Sequence, residues 1–508
     1  MKSWFDAPRP TVADVIAGIS VALVLIPQSL AYAQIAEMPV VTGLFASALP
    51  LIAFSLFASS PYLQTGPVAL TSLLTLAALQ GAGFASDNPD YVKLGALLAF
   101  IVGICRLVLG LARLGWMAYL ISEPVRKGFT SAAAIIIISS QLPKALGSSL
   151  EAPERGPLGR AIWSIVHPGA WTPGALLLSA LTLAIMLGGR RMHRLFPGVA
   201  VAVLLGLAYS RFVSDSVLTV GDTNPIPEGL PSLSIDLPWS SLGTLAVGGL
   251  IIALIGFAEP ASIARQFAQE DKTTWDANRE LASSGIANVT SALSGAFPVG
   301  GSFSRSSVNR MAGARTRWSG GVTGVVVLAF LSFASILDGL PQAVLGAIVI
   351  GAVLGLVQPV ALIQLWRQSR IEAVLAWTTF CATLLLTPSV QWAVLLGVAL
   401  TAVVHFVRPL RLLPADDGQQ PDSPSGDQAA PATANGHITV KTDGLLWLGS
   451  YGSFEQQLRA AAEENPGADI VVDLGPDPSL DPTVESAIKR LSRDLVGTGR
   501  SLSVAGLD

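Results

Sequence analysis

Apolar stretches broken by short polar or glycine-rich interruptions run from residue 13 to residue 407. A membrane helix needs about 20 apolar residues, and fewer where two half-helices share the depth. On that scale the pattern predicts spans over 13–36, 43–58, 66–79, 93–112, 123–142, 173–189 and 197–212. A second set follows over 245–265, 277–294, 302–313, 319–337, 341–365, 371–387 and 390–407. The pattern therefore predicts fourteen spans in two groups of seven, and the third member of each group is short and follows a break of glycine and proline. An odd number of spans per group inverts the second half relative to the first. Paired broken helices in such a repeat meet near mid-membrane.

The break in the second half, residues 297–313 (FPVGGSFSRSSVNRMAG), is too polar for an ordinary span. Pro298, Gly300 and Gly301 interrupt a helix, and Ser302, Ser304, Ser306 and Ser307 restart one. A helix that begins at membrane depth points its unpaired N–H groups and positive dipole end at whatever fills the gap. Irregular backbone survives there only against protein or a watery cavity. The stretch reads as half of an anion site. Its counterpart is residues 62–72 (YLQTGPVALTS), and matching Thr65 to Ser302 gives an offset of 237 positions (302 − 65). Gln28, beside Pro27, matches Glu259, beside Pro260, at an offset of 231 (259 − 28).

Composition agrees with the pattern: 51% of the 508 residues are hydrophobic, 13% are charged, and mean hydropathy is +0.58. The chain is therefore read as an α-helical polytopic membrane protein. The net charge of −3 gives no footprint for nucleic acid. Cys105 and Cys381 lie in apolar runs and make no disulfide framework, and four scattered histidines make no metal cluster. No nucleophile–base pair or nucleotide loop is visible, so no enzyme is expected. Asp6 and Asp14 interrupt the N-terminal segment, which reads as a retained first span rather than a cleaved signal. Of the 31 Lys and Arg, 18 fall in or beside the segments an even span count puts inside, among them Arg126 and Lys127, and five fall outside: Lys93, Lys144, Arg155, Arg160 and Arg211. Both termini are thereby expected in the cytoplasm of a cell with this chain in its inner (plasma) membrane.

Beyond Arg411 the pattern changes. Residues 415–436 have almost nothing to bury and read as a flexible linker. From 437 to 508 strands over 438–440, 445–448, 470–474 and 502–504 alternate with helices over 453–464 and 482–497, predicting a small α/β domain.

Glu259 is the most informative single position. A carboxyl inside an apolar span is costly and usually marks an ion or proton path, so it reads as the proton-coupling residue. Arg305 adds positive field one turn into the restarting helix, Gln28 offers an amide to an anion oxygen, and Tyr32 shares the face of Gln28. Arg106 reads as a structural partner, and Arg126 as an inner-rim residue that topology alone explains.

Five motifs carry a family resemblance: 25–33 (LIPQSLAYA), 64–70 (QTGPVAL), 127–135 (KGFTSAAAI), 297–309 (FPVGGSFSRSSVN) and 313–316 (GART). The sequence resembles the sulfate permease (SulP) or solute carrier family 26 anion transporters over nearly its whole length. The resemblance implies a 7+7 inverted repeat in residues 1–414, with a core domain of spans 1–4 and 8–11 and a gate domain of spans 5–7 and 12–14. It further implies an elevator-like motion of core against gate, a homodimer embedded in membrane lipid, and a C-terminal STAS domain over 437–508 that offers a surface to a cytoplasmic partner. The anion is implied between the N-termini of helices 3 and 10, at Gln28, Tyr32, Thr65, Gly66, Val68, Gly301, Ser302, Phe303, Ser304 and Arg305. Sodium-coupled relatives tend to carry Asp on helix 8. Glu259 departs from that and favours a proton, with sodium the lesser alternative and no other cofactor. Expected cargo is a small inorganic or organic anion: sulfate, bicarbonate or a C4-dicarboxylate. Two rival readings are an uncoupled channel or exchanger, and a membrane anion sensor signalling through its STAS domain.

Overall fold

A computed structural model describes residues 9–115, 122–148, 156–192, 196–213, 217–223 and 225–411, together with four strands nearer the C-terminus. The chain divides into two units, residues 1–405 and 406–508. The first unit is helical, and its first half runs α1 (Val12–Ile35), α2 (Val41–Phe45), α3 (Leu49–Phe57), β1 (Thr65–Gly66), α4 (Ala69–Gly81), α5 (Tyr91–Leu111), α6 (Glu123–Leu146), α7 (Pro157–Val166), α8 (Pro173–Met192), α9 (Gly198–Phe212) and α10 (Val220–Thr223). The second half follows as α11 (Leu242–Glu270), α12 (Ala277–Leu293), β2 (Gly300–Gly301), α13 (Phe303–Met311), α14 (Trp318–Phe330), α15 (Gln342–Val353), α16 (Pro359–Gln368), α17 (Arg370–Leu385) and α18 (Gln391–Arg411), the last of which crosses the division.

Six helical stretches among the described residues are long and apolar enough to cross a membrane, and several shorter apolar helices accompany them. Two predicted spans are not continuous. The stretch over 43–58 splits into α2 and α3, with Pro50 opening the second piece. The stretch over 341–365 breaks at a tight 3-10 turn, Leu354–Leu356, before Pro359 starts α16. Both stretches are uncharged and apolar on average, so hydropathy alone hides the kinks. The amphipathic helix α7 was not anticipated either.

Small residues set the closest packing. α5 lies against α12 through Gly103, Gly110 and Gly285, where an added Cβ would stand 2.5–2.7 Å from a neighbouring atom of the other helix. Such contacts let helix backbones approach where apolar surface alone gives no preference for protein over lipid. At the start of α1, Thr11 and Asp14 form a capping box. The fully buried Asp14 carboxylate also accepts the backbone N–H groups of Arg315 and Thr316, at 2.8 Å each, and the Thr316 hydroxyl at 2.9 Å. One carboxylate thus ties the first helix to the loop between α13 and α14. Asp14→Ala leaves these donors without an acceptor and is expected to destabilise the fold by about 3 kcal/mol, read as a lowered melting midpoint in detergent.

In the second unit β3 (Thr433–Ala434) pairs antiparallel with β4 (His437–Lys441), and β4, β5 (Asp469–Asp473) and β6 (Leu502–Ala505) run parallel, in the order β3-β4-β5-β6. Parallel neighbours require crossovers of a dozen or more residues, and the intervals 442–468 and 474–501 supply that length. β3 lies within residues 415–436, the stretch expected as linker. The rest of the expected linker, the strand over 445–448 and the helices over 453–464 and 482–497 lie outside the described residues.

Candidate functional site

The two breaks meet. β1 and β2 pair antiparallel, Thr65 opposite Gly301 and Gly66 opposite Gly300, and the Ser302 N–H donates to the Gln64 carbonyl at 3.0 Å. Because the strands run in opposite senses, α4 and α13 leave the pair in opposite directions with their N-termini turned toward it. Val68 caps α4 with no side-chain hydrogen bond, and Ser302 caps α13 through a 3.5 Å bond from the Arg305 N–H. The first-turn N–H groups of a helix have no acceptor within it, so both N-termini present free donors toward the strand pair. Gly66 holds φ at +144°, a conformation that other residues rarely adopt, so the turn between β1 and Pro67 requires glycine.

The N-caps Val68 and Ser302 lie 234 positions apart (302 − 68), and the helix prolines Pro27 and Pro260 lie 233 apart (260 − 27). These backbone landmarks agree within one residue, whereas the expected side-chain matches differed by six. In the repeat, Val68 rather than Thr65 is therefore the residue that corresponds to Ser302.

Around the paired breaks the side chains are unequal. Gln28 is 3% exposed and Tyr32 is 6% exposed, on neighbouring turns of α1. Glu259 is half-buried on α11 immediately before Pro260. Tyr32, Glu259 and Arg305 lie within electrostatic reach of one another, although they come from α1, α11 and α13. Arg305 is fully buried. Its Nη1 donates to the Pro67 carbonyl at 2.8 Å, crossing from the second break to the first, while Nε and Nη2 have no protein partner. Thr65, Gly66, Val68 and Gly301 are buried, and Ser302 and Ser304 are half-buried. Phe303 departs from the cluster: the residue is 47% exposed and its ring stacks on Phe267 with centroids 6.3 Å apart, so what it can offer the gap is its backbone.

Arg126, expected at the inner rim, lies on α6 within electrostatic reach of Glu259. On the side of α1 and α4 away from their break, Lys144 donates to Gln34 at 3.1 Å, Gln80 donates to Glu37 at 3.2 Å, and Arg160 stands 3.9 Å from Glu37. Glu37, Gln80 and Arg160 line a cavity of about 100 Å³ between the ends of α1 and α4 and the start of α7.

The sequence profile of the sulfate permease family matches residues 12–379. The chain belongs to that family. Among its relatives, sulfate transporter 4.1 of Arabidopsis thaliana is 32% identical over 514 residues, covering 95% of this chain and 73% of its own. A probable sulfate transporter of Mycobacterium tuberculosis is 31% identical over 97% of this chain and 88% of its own. The fold matches murine solute carrier 26 family member A9, an anion transporter solved in the inward-facing state, at TM-score 0.72, 18% identity, and 98% and 86% coverage. It also matches the transmembrane domain of the cyanobacterial bicarbonate transporter BicA, at TM-score 0.64, 22% identity, and 77% and 97% coverage. This permease-family member is an integral, multi-pass membrane protein that transports anions, and it is not an enzyme.

Proposed function

We propose that this chain is a proton-coupled symporter of a small anion, bound between the N-termini of α4 and α13. The observation that carries the reading is Arg305: a fully buried guanidinium with two unpaired donor nitrogens at the meeting point of two helix N-termini. Unpaired buried donors are costly, and an anion seated in the gap satisfies them together with the first-turn N–H groups. Gln28 and Tyr32 line the same gap from α1, and Glu259 carries the coupling proton. Sulfate leads the candidates because relatives bear that name. Bicarbonate and C4-dicarboxylates follow.

The transport step in this reading is an elevator-like slide of a core (spans 1–4 and 8–11 of the fourteen) past a gate (spans 5–7 and 12–14). The contacts of Lys144 with Gln34 and of Arg160 with Glu37 tie α6 and α7 to α1, and they have to part for that slide. The protein works as a homodimer in the plasma membrane with both termini in the cytoplasm, and residues 437–508 form a STAS domain that meets a cytoplasmic partner.

The test is uptake of labelled sulfate, bicarbonate, fumarate and succinate into proteoliposomes, each with and without an inward proton gradient. One anion is expected to accumulate only with the gradient. Equal flux with and without it removes the coupling and leaves a channel or exchanger. No flux of any of the four, with no anion binding, favours the sensor reading.

A further inference from the structure

Arg106 lies in the C-terminal third of α5, fully buried, and its hydrogen bonds include no carboxylate. Nε donates to the Ala253 carbonyl at 3.0 Å and Nη2 to the Ile252 carbonyl at 3.1 Å, both on α11. Nη1 donates to the Val299 carbonyl at 3.0 Å and to the Ser284 hydroxyl at 2.9 Å. Among the described residues it has no counter-ion. Gly256 makes room for it, since a Cβ there would stand 2.5 Å from Nη2. Bonds to carbonyls need only a neutral donor, and a neutral side chain would avoid the cost of an uncompensated buried charge. Arginine keeps its charge in proteins. The charge itself therefore calls for an explanation.

Its position supplies one. Val299 directly precedes β2, and three residues further on Ser302 caps α13. Arg106 thus stands behind the paired breaks on the side of α5, α11 and α12. Arg305 flanks them from elsewhere: a Cβ on Gly66 would meet its Nη2 together with Leu51 and Leu25, from α3 and α1. Two guanidinium groups bracket one strand pair.

We infer that Arg106 is a positioning residue for anion charge: without touching the ligand, it sets the positive potential of the gap between α4 and α13 and so favours divalent over monovalent anions. This rests on the anion reading of that gap. A remote charge acts in proportion to the charge of the ligand, whereas a packing defect weakens all ligands alike. At about 3.3 Å per residue the guanidinium is roughly 10 Å from the α13 cap. With an effective permittivity of about 20, losing it weakens a monovalent anion about tenfold and a divalent one about a hundredfold.

The experiment is calorimetric titration of the purified full-length protein in nanodiscs with sulfate and with nitrate, at fixed ionic strength. Arg106→Gln keeps an amide donor for the carbonyls and removes the charge. Arg106→Met is the second neutral variant, should the first not fold. Ser284→Ala removes one hydrogen bond and keeps the charge. The expected result is that the sulfate loss in the neutral variant approaches the square of the nitrate loss, while Ser284→Ala leaves the ratio of the two affinities unchanged. Equal losses for sulfate and nitrate in the neutral variant overturn the inference and reduce Arg106 to a clasp. Arg305→Met is titrated beside them: if it leaves sulfate binding intact, the anion reading of the gap fails, and this inference with it.

Discussion

Arg305→Met is expected to weaken sulfate binding about a hundredfold while leaving the protein folded. The guanidinium makes one hydrogen bond to protein, to the Pro67 carbonyl, and keeps two donor nitrogens unpaired in a buried site. If an anion fills those positions, the variant loses two charge-assisted bonds, a net of about 3 kcal/mol, which is about a hundredfold in affinity. Folding is less exposed to the change, because Ser306 and Asn309 still tie α13 to the first break. Ser306 accepts the Gln64 N–H at 2.9 Å, and Asn309 donates to the Tyr62 carbonyl at 3.0 Å. Titration of the variant in detergent or nanodiscs, beside its melting curve, separates the two effects. Unchanged sulfate affinity with an intact melting curve shows that water rather than an anion satisfies the free donors. A collapsed melting curve shows that the side chain is structural.

The paired breaks were legible because they violate the surrounding pattern: glycine, proline and serine inside apolar runs. Their register was not. Side chains were matched as Thr65 with Ser302 and Gln28 with Glu259, but the two halves share backbone landmarks rather than side chains. The polar residue follows the proline on α1 and precedes it on α11. Caps and prolines fix where a helix starts or bends, so they keep the repeat, while a site that binds one asymmetric arrangement of charge has no need of matched side chains. Arg126 was hidden for a different reason. Hydropathy places it at the end of a span, and its electrostatic reach to Glu259 joins positions far apart in the chain. Three of the four partners of Arg106 are carbonyls, on α11 and before β2, and carbonyls carry no sequence signature. The strand at 433–434 was announced by Asn435-Gly436, the commonest dipeptide of a two-residue hairpin.

Glu259→Gln is expected to abolish proton-driven accumulation and leave a slower, gradient-independent flux. The charged and titratable groups that reach Glu259 come from three elements: Arg126 on α6, Arg305 on α13 and Tyr32 on α1. Ionised, the carboxylate faces two arginines, and an arriving divalent anion must compete with it for Arg305. Unit charges within about 10 Å of one another interact by roughly 2 kcal/mol or more at an effective permittivity of about 20. Repulsion between Glu259 and a divalent anion is therefore large enough to control occupancy. A proton on Glu259 removes that repulsion and frees Arg305 for the ligand, so anion and proton bind together, and lowering the external pH raises uptake. Glutamine imitates the protonated form permanently: binding persists, but no proton is carried and the gradient has nothing to act on. Uptake measured at equal and unequal pH across the proteoliposome membrane reads this directly. If Glu259→Gln still concentrates the anion against its gradient when the outside is acidic, the coupling proton rides on another group. If the variant no longer binds anion at all, Glu259 holds the site together rather than gating it.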